Sequence, residues 1–170
     1  MKIVRFISSA LFALTRFLSL IYFATGIYGI VALASGSPSL VDIADERFVI
    51  YYPFTESPFL LGDYNQLYIL EMFGVVLIYG LFFWLLSGVF SAFRQPKLFT
   101  IDGVRKLSRF YILNLVVPPL ALLLMLIFSI TEVPAQLIAV LHIIIGVFAF
   151  FMAAIFRQGL NLQNEQDYTI

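Results

Sequence analysis

Ionisable and amide side chains set inside apolar stretches are the residues here best suited to chemistry. Three stand out: Glu71, Asn114 and His142. A charged group near the middle of a bilayer costs about 2.5–3.5 kcal/mol on insertion scales, so it finds a partner or water. The chain has one histidine, the residue type best suited to a pH-sensitive role. Glu71 and His142 stand at similar distances from the outer ends of their helices. They are expected to face the same outer half of a helix bundle and to interact there. The readings are a proton-sensitive or ligand-binding pocket, a buried structural hydrogen bond, or Glu71 simply reaching up to water. Asn114 lies one turn before Pro118-Pro119, placed to satisfy part of the backbone break that two prolines make. One histidine and no cysteine leave only carboxylates for a metal, so no metal site is expected. There is no Walker loop, dinucleotide fingerprint or serine elbow. No cofactor and no catalytic residue are expected, and an enzyme is the less favoured class.

The elements that position these residues follow from composition. Of 170 residues, 62% are hydrophobic and only 12% charged. Soluble domains are about half apolar and about a quarter charged. Four long stretches lack Asp, Glu, Lys and Arg: 17–41, 72–93, 110–131 and 133–156. A helix needs about 20 residues to cross a hydrocarbon core of about 30 Å. Continuous apolar runs of that length argue for helices rather than a barrel. The expected fold is an all-α integral membrane protein, four transmembrane helices in one bundle within a single domain. The spans are placed near 15–35, 67–91, 108–130 and 135–157.

Charge sets the orientation. Residues 36–66 hold one cation, Arg47, against Asp42, Asp45, Glu46, Glu56 and Asp63. Loop 92–109 holds Arg94, Lys97, Arg105, Lys106 and Arg109 against Asp102 alone. Lys2, Arg5, Arg16 and Arg157 fall on that same side, so nine of ten basic residues share one face. The positive-inside rule assigns that face to the cytoplasm, with both termini inside. The first helix is read as uncleaved, although Ala32-Leu33-Ala34 offers a cleavage pattern. Lys2, Arg5, Ser9 and Arg16 share one side of a helix drawn through 2–16. That side suits the inner headgroups, or the helix starts early and its cations snorkel. Zero net charge gives no argument for direct nucleic-acid contact.

The extracytoplasmic segment 36–66 opens on Ser-Gly-Ser-Pro, a turn signal. Residues 47–54 and 59–61 are rich in β-branched and aromatic types, which predicts a short hairpin. Pro53 and Pro58 make it irregular or edge-like. Tyr51, Tyr52, Tyr64 and Tyr68 suit a membrane-interface belt. In loop 92–109, Pro96 ends the second helix and Thr100 caps a new one, with Asp102 in its first turn. Arg105, Lys106 and Arg109 are expected to face water or headgroups. Gly159 is expected to end the fourth helix, leaving a polar tail at 158–170. Ala135, Ala139, His142, Gly146, Ala149 and Ala153 recur at spacings of four and three, one narrow stripe of a helix. Small residues allow close approach in lipid, so this is the expected packing face. Ser19, Tyr22, Gly26 and Gly29 make a similar stripe on the first span.

The segment Pro96-Lys97-Leu98-Phe99-Thr100 with Val104-Arg105-Lys106-Leu107 resembles the loop before the third span in a bacterial membrane-protein family. The ending Ile155-Phe156-Arg157-Gln158-Gly159, then Leu162-Gln163-Asn164-Glu165-Gln166-Asp167-Tyr168-Thr169-Ile170, is similar to that family's C-terminus. Tyr168 replaces its usual aliphatic residue. The family is domain of unknown function 2975, with YoaS-like members. It has no established activity, so no site residues follow from it. Its members are often paired with a small helix-turn-helix regulator. The resemblance therefore implies an inner-membrane protein that partners or senses for such a regulator. Arg94, Lys97, Thr100, Asp102, Arg105, Lys106, Glu165 and Asp167 are the candidate partner contacts. The alternative is a small transporter or proton-linked channel using Glu71, His142 and Asn114.

Overall fold

The structure is a computed structural model. It describes residues 2–127 and 135–167, apart from the side chains of Met125, Ala135, Gln166 and Asp167. Four helices carry most of the chain: α1 Lys2–Ser35, α2 Gln66–Phe93, α3 Ile101–Ile127 and α4 Ala135–Asp167. Each is long and apolar enough to cross a membrane. Between α1 and α2 lies a small antiparallel sheet of β1 Val41–Ala44, β2 Arg47–Tyr51 and β3 Pro58–Asp63, in that order. Two compact units emerge: Met1–Arg16 with Trp84–Ile170, and Phe17–Phe83. We call them the basic unit and the sheet-bearing unit. The first holds nine of the chain's ten cations.

One helix end, that of α4, differs from the expected one. α1 is helical from Lys2, the early start that the sequence left as an alternative, so the cationic stretch and the apolar run are one helix. α3 likewise runs unbroken from its cap into its span, with Pro118 and Pro119 inside it. α4 continues through Gly159 to Asp167, so the expected polar tail is mostly helix. The end of the third expected span, residues 128–130, and the closing Tyr168-Thr169-Ile170 lie outside the described residues.

In the sheet-bearing unit, Gly36 closes α1 at φ 58°, the left-handed conformation that ends helices at little cost to glycine. The expected hairpin is a three-stranded sheet. The additional strand, β1, pairs with β2 through a two-residue turn, Ala44 opposite Arg47. Asp45 and Glu46 take φ 50° and 60° there, as a twist-matched hairpin turn requires. Such turns usually announce themselves as Asn-Gly or Asp-Gly, a signal that Asp-Glu lacks. Pro58 starts edge strand β3 at an irregularity in register opposite Ile50 and Tyr51, a position where its missing N–H is tolerated. Arg47 and Asp63 face each other across β2 and β3 at 3.6 Å, both exposed.

Ala32, Val41, Phe48, Ile50 and Phe73 bury together, joining the end of α1, the sheet and the start of α2. Tyr28 Oη donates to Tyr51 O at 2.6 Å, and the Tyr52 ring packs on Phe59 at 4.6 Å. Further along, the small-residue stripe of α1 meets α2. Ser19 Oγ donates to Gly80 O at 2.9 Å, Tyr22 packs on Tyr79 and Phe83, and a side chain at Gly26 would come 2.7 Å from Leu77.

Phe48 is fully buried in this core. Phe48→Ala is expected to destabilise the sheet by about 3–5 kcal/mol. Protease resistance of residues 41–63 in the detergent-solubilised protein should fall accordingly, and unchanged resistance would contradict the core assignment.

Candidate functional site

The basic unit is organised around one ring. Phe156, 1% exposed, takes the edge of Phe93 at 5.2 Å and of Phe99 at 5.4 Å. Phe99 lies against the backbone of Gly159, where a Cβ would be 2.6 Å from its ring. Gly103 lets the other side of Phe156 come close; a Cβ there would be 3.2 Å from the ring. Thr100 caps α3 by accepting the Gly103 N–H at 3.0 Å. Arg5 donates to Pro96 O at 3.1 Å, which ties the start of α1 to the same loop. Segments 96–100 and 156–159 are thus packed together by aromatic contacts and two glycines.

Beside this cluster, helical spacing converges four cations on one cavity of about 310 Å³. Phe12 and Arg16 are one turn apart on α1. Trp84, Gly88 and Ser91 follow at spacings of four and three on α2. Lys106 and Arg109 are three apart on α3, and Arg94 stands just past α2. The Arg16 guanidinium sits 3.5 Å over the Trp84 ring. Arg94 lies 4.1 Å over Phe12. Such stacking is worth about 0.5–1 kcal/mol when exposed and about 2 kcal/mol when desolvated. Lys106 Nζ pairs with Asp102 Oδ2 at 2.6 Å and donates to Ser91 Oγ at 2.8 Å. Arg16 Nη1 is buried with no hydrogen-bond partner among the described residues. Among the described residues no carboxylate lines the cavity.

This placement revises part of the expected partner surface. Arg94 and Lys106 line the cavity, and Arg109 joins them instead of only facing outward. Arg94 and Arg109 are exposed as well as lining the cavity, and Lys97, Asp102, Arg105 and Glu165 are exposed too; the Asp167 side chain lies outside the described ones. Arg16 and Trp84 are additions to the expected site residues. Their sequence signals are a cation interrupting an apolar run and the chain's single tryptophan.

The polar candidates within the apolar helices divide between the units. Glu71 is half-buried in the sheet-bearing unit, whereas Asn114 and His142 belong to the basic unit. His142, 8% exposed, lies 2.9 Å through Nδ1 from Ile138 O. A carbonyl only accepts, so Nδ1 carries the proton. Asn114 is fully buried. Its amide donates to Phe110 O at 2.8 Å, one turn back, and not to the carbonyls of residues 114 and 115 that the prolines leave free. Its Oδ1 is buried without a partner among the described residues. On α4, Ala139, Gly146, Ala149 and Ala153 are buried, and a side chain at Gly146 would come 2.7 Å from Leu115 of α3. The Ala135 side chain lies outside the described ones. No group of three or more metal-ligating residues occurs among the described residues.

The model of a family described as protein of unknown function (DUF2975) matches residues 41–170. The chain belongs to this family. The match takes in the sheet, loop 94–100 and the end of α4, so the Phe156 cluster lies within it. No curated protein and no solved structure matches the chain.

Overpacking a filled contact costs about 1–3 kcal/mol. Gly159→Val should therefore expel Phe99 and release the loop. Trypsin cleavage after Arg94 and Lys97 is expected to accelerate about tenfold, since cleavage follows the population of the open form. Unchanged cleavage would show that Phe99 does not hold the loop.

Proposed function

We propose that this chain is a non-enzymatic, multi-pass protein of the bacterial cytoplasmic membrane whose basic end docks a cytoplasmic protein. Both termini lie inside. The observation that carries the reading is the Phe156 cluster, which holds loop 94–100 and the end of α4 as one ordered surface. A loop that only anchored topology would need cations and no such packing. The surface offers mixed chemistry suited to a polypeptide. A shallow depression is lined by Gln95, Pro96, Lys97, Thr100 and Asp102, with Arg105 and Glu165 exposed on α3 and α4. Asp167 is placed on the same helix end by sequence. A helix-turn-helix regulator is the partner class that the family's usual pairing supports. In that arrangement the membrane protein sequesters or signals to the regulator and does not itself contact nucleic acid.

A second reading, a small transporter or proton-linked channel, has one observation in its favour. Asn114 Oδ1 is a buried acceptor without a partner among the described residues, and such a group is satisfied by water or a polar ligand. His142 and Glu71 would be its further polar groups.

Orientation is tested by reporter fusions at residues 50 and 165, which should report opposite sides of the membrane; the same side would overturn the topology. Partner docking is tested by charge reversal at the exposed Lys97, Arg105 and Glu165, which leaves α3 and the Phe156 cluster intact. A cytoplasmic regulator that co-purifies with the full chain should be lost from the variant. An unchanged partner set would remove the docking reading.

A further inference from the structure

We propose that the cavity between Arg16, Trp84, Ser91, Arg94, Lys106 and Arg109 is a binding site for a phosphate-bearing anion. Four cations line it, and the only carboxylate paired with any of them among the described residues is Asp102, on Lys106. Like charges brought together beside apolar walls repel one another unless an anion joins them. Arg16 supplies a buried, unpartnered N–H, a donor that needs an acceptor the described residues do not provide. The guanidinium forks of Arg16, Arg94 and Arg109 match the several oxygens of a phosphate, while Ser91 Oγ donates to Gly88 O at 2.7 Å and holds Lys106 in place. At about 310 Å³, the cavity is at the lower end of ligand-pocket volumes, roughly 300–1,000 Å³. Phe12 and Leu85 give it an apolar wall.

Two sources of phosphate fit: a phospholipid headgroup entering from the leaflet, and a free phosphate from water. The lipid source, unlike the anion chemistry, rests on the proposed membrane placement. Helix lengths support it. Nineteen residues separate Arg16 from Ser35 at the end of α1, and eighteen separate Gln66 at the start of α2 from Trp84. A helix crosses hydrocarbon in about 20 residues. The stacked Arg16 and Trp84 therefore fall near the inner hydrocarbon boundary, next to the level of lipid phosphates.

Trp84 is the only tryptophan, so its fluorescence reads this site alone. The full chain in neutral detergent is titrated with phosphatidylglycerol, with diacylglycerol, and separately with inorganic phosphate. Phosphatidylglycerol is expected to change Trp84 emission saturably while diacylglycerol does not. A saturable response to inorganic phosphate alone would support the site and assign it to the free anion. Arg16→Gln and Arg109→Gln should each weaken half-saturation about tenfold, the scale of one charge-assisted hydrogen bond. Arg105→Gln removes the same charge outside the cavity and should change it less than about twofold. Arg109→Gln keeps the test open if the Arg16 variant fails to fold. Silence toward both phosphate sources, an equal response to diacylglycerol, or an equal effect of Arg105→Gln would each overturn the site.

Discussion

Phe156 is the side chain on which the basic unit depends. It is buried at the one place where the end of α2, the 94–100 loop, the first turn of α3 and the last third of α4 meet. Each neighbour is fitted to it. Gly103 and Gly159 leave out the Cβ that would displace the rings, and Thr100 fixes the start of α3 by capping Gly103 N. A helix start fixed in this way sets the phase of every later turn. Lys106 and Arg109 come three and six residues after Gly103, and so fall on the side where Lys106 reaches Ser91. The cation-lined cavity is thus a consequence of aromatic packing a few residues away.

That cavity makes little sense as a stabilising device. An exposed ion pair such as Arg47–Asp63 is worth about 0–1 kcal/mol, and the sheet gains little from it. Stacking Arg16 on Trp84 recovers about 2 kcal/mol at best. Arg16 and Lys106 are half-buried at the cavity wall, while Arg94 and Arg109 are exposed and screened by solvent. Among the described residues one carboxylate, Asp102, pairs with one of the four. Retaining cations there is understandable if they meet an anion, which changes the sign of the electrostatic account.

Much of the helical architecture is legible in the sequence because bilayer-length apolar runs carry one dominant signal. Charge-free stretches announce the four long apolar helices, and the one that ends at Phe93 ends with its helix. They mislocate ends decided by packing. Gly159 is a terminator by residue type, yet its lack of a Cβ serves the Phe99 ring and the helix runs on. The strand β1 escapes sequence reasoning because a turn through Asp45 and Glu46 depends on contacts from β3, whose neighbour Tyr64 N donates to Glu46 O at 2.7 Å. The spacing of Asn114 from Pro118 points toward the proline break, while its side chain takes the commoner course of bonding back one turn. The cavity needs α1, α2 and α3 brought together, and periodicity within one helix cannot supply that.

Glu71, Asn114 and His142 attract attention because hydrophobic neighbours make them conspicuous. The structure offers local backbone partners for two of them: His142 stands within hydrogen-bond reach of Ile138 O, and Asn114 of Phe110 O. A polar side chain that bonds its own helix can sit in an apolar setting without having a ligand to bind. The basic residues are inconspicuous in sequence, since cations at the inside end of a membrane helix are ordinary. Their grouping around one cavity, with a buried guanidinium N–H left over, has no such local explanation. Conspicuousness in sequence measures the cost of a residue's surroundings, whereas function is better sought where a cost is left uncompensated. By that criterion the basic unit of this chain, where Arg16 Nη1 and Asn114 Oδ1 are both buried without a partner among the described residues, is the stronger place to look.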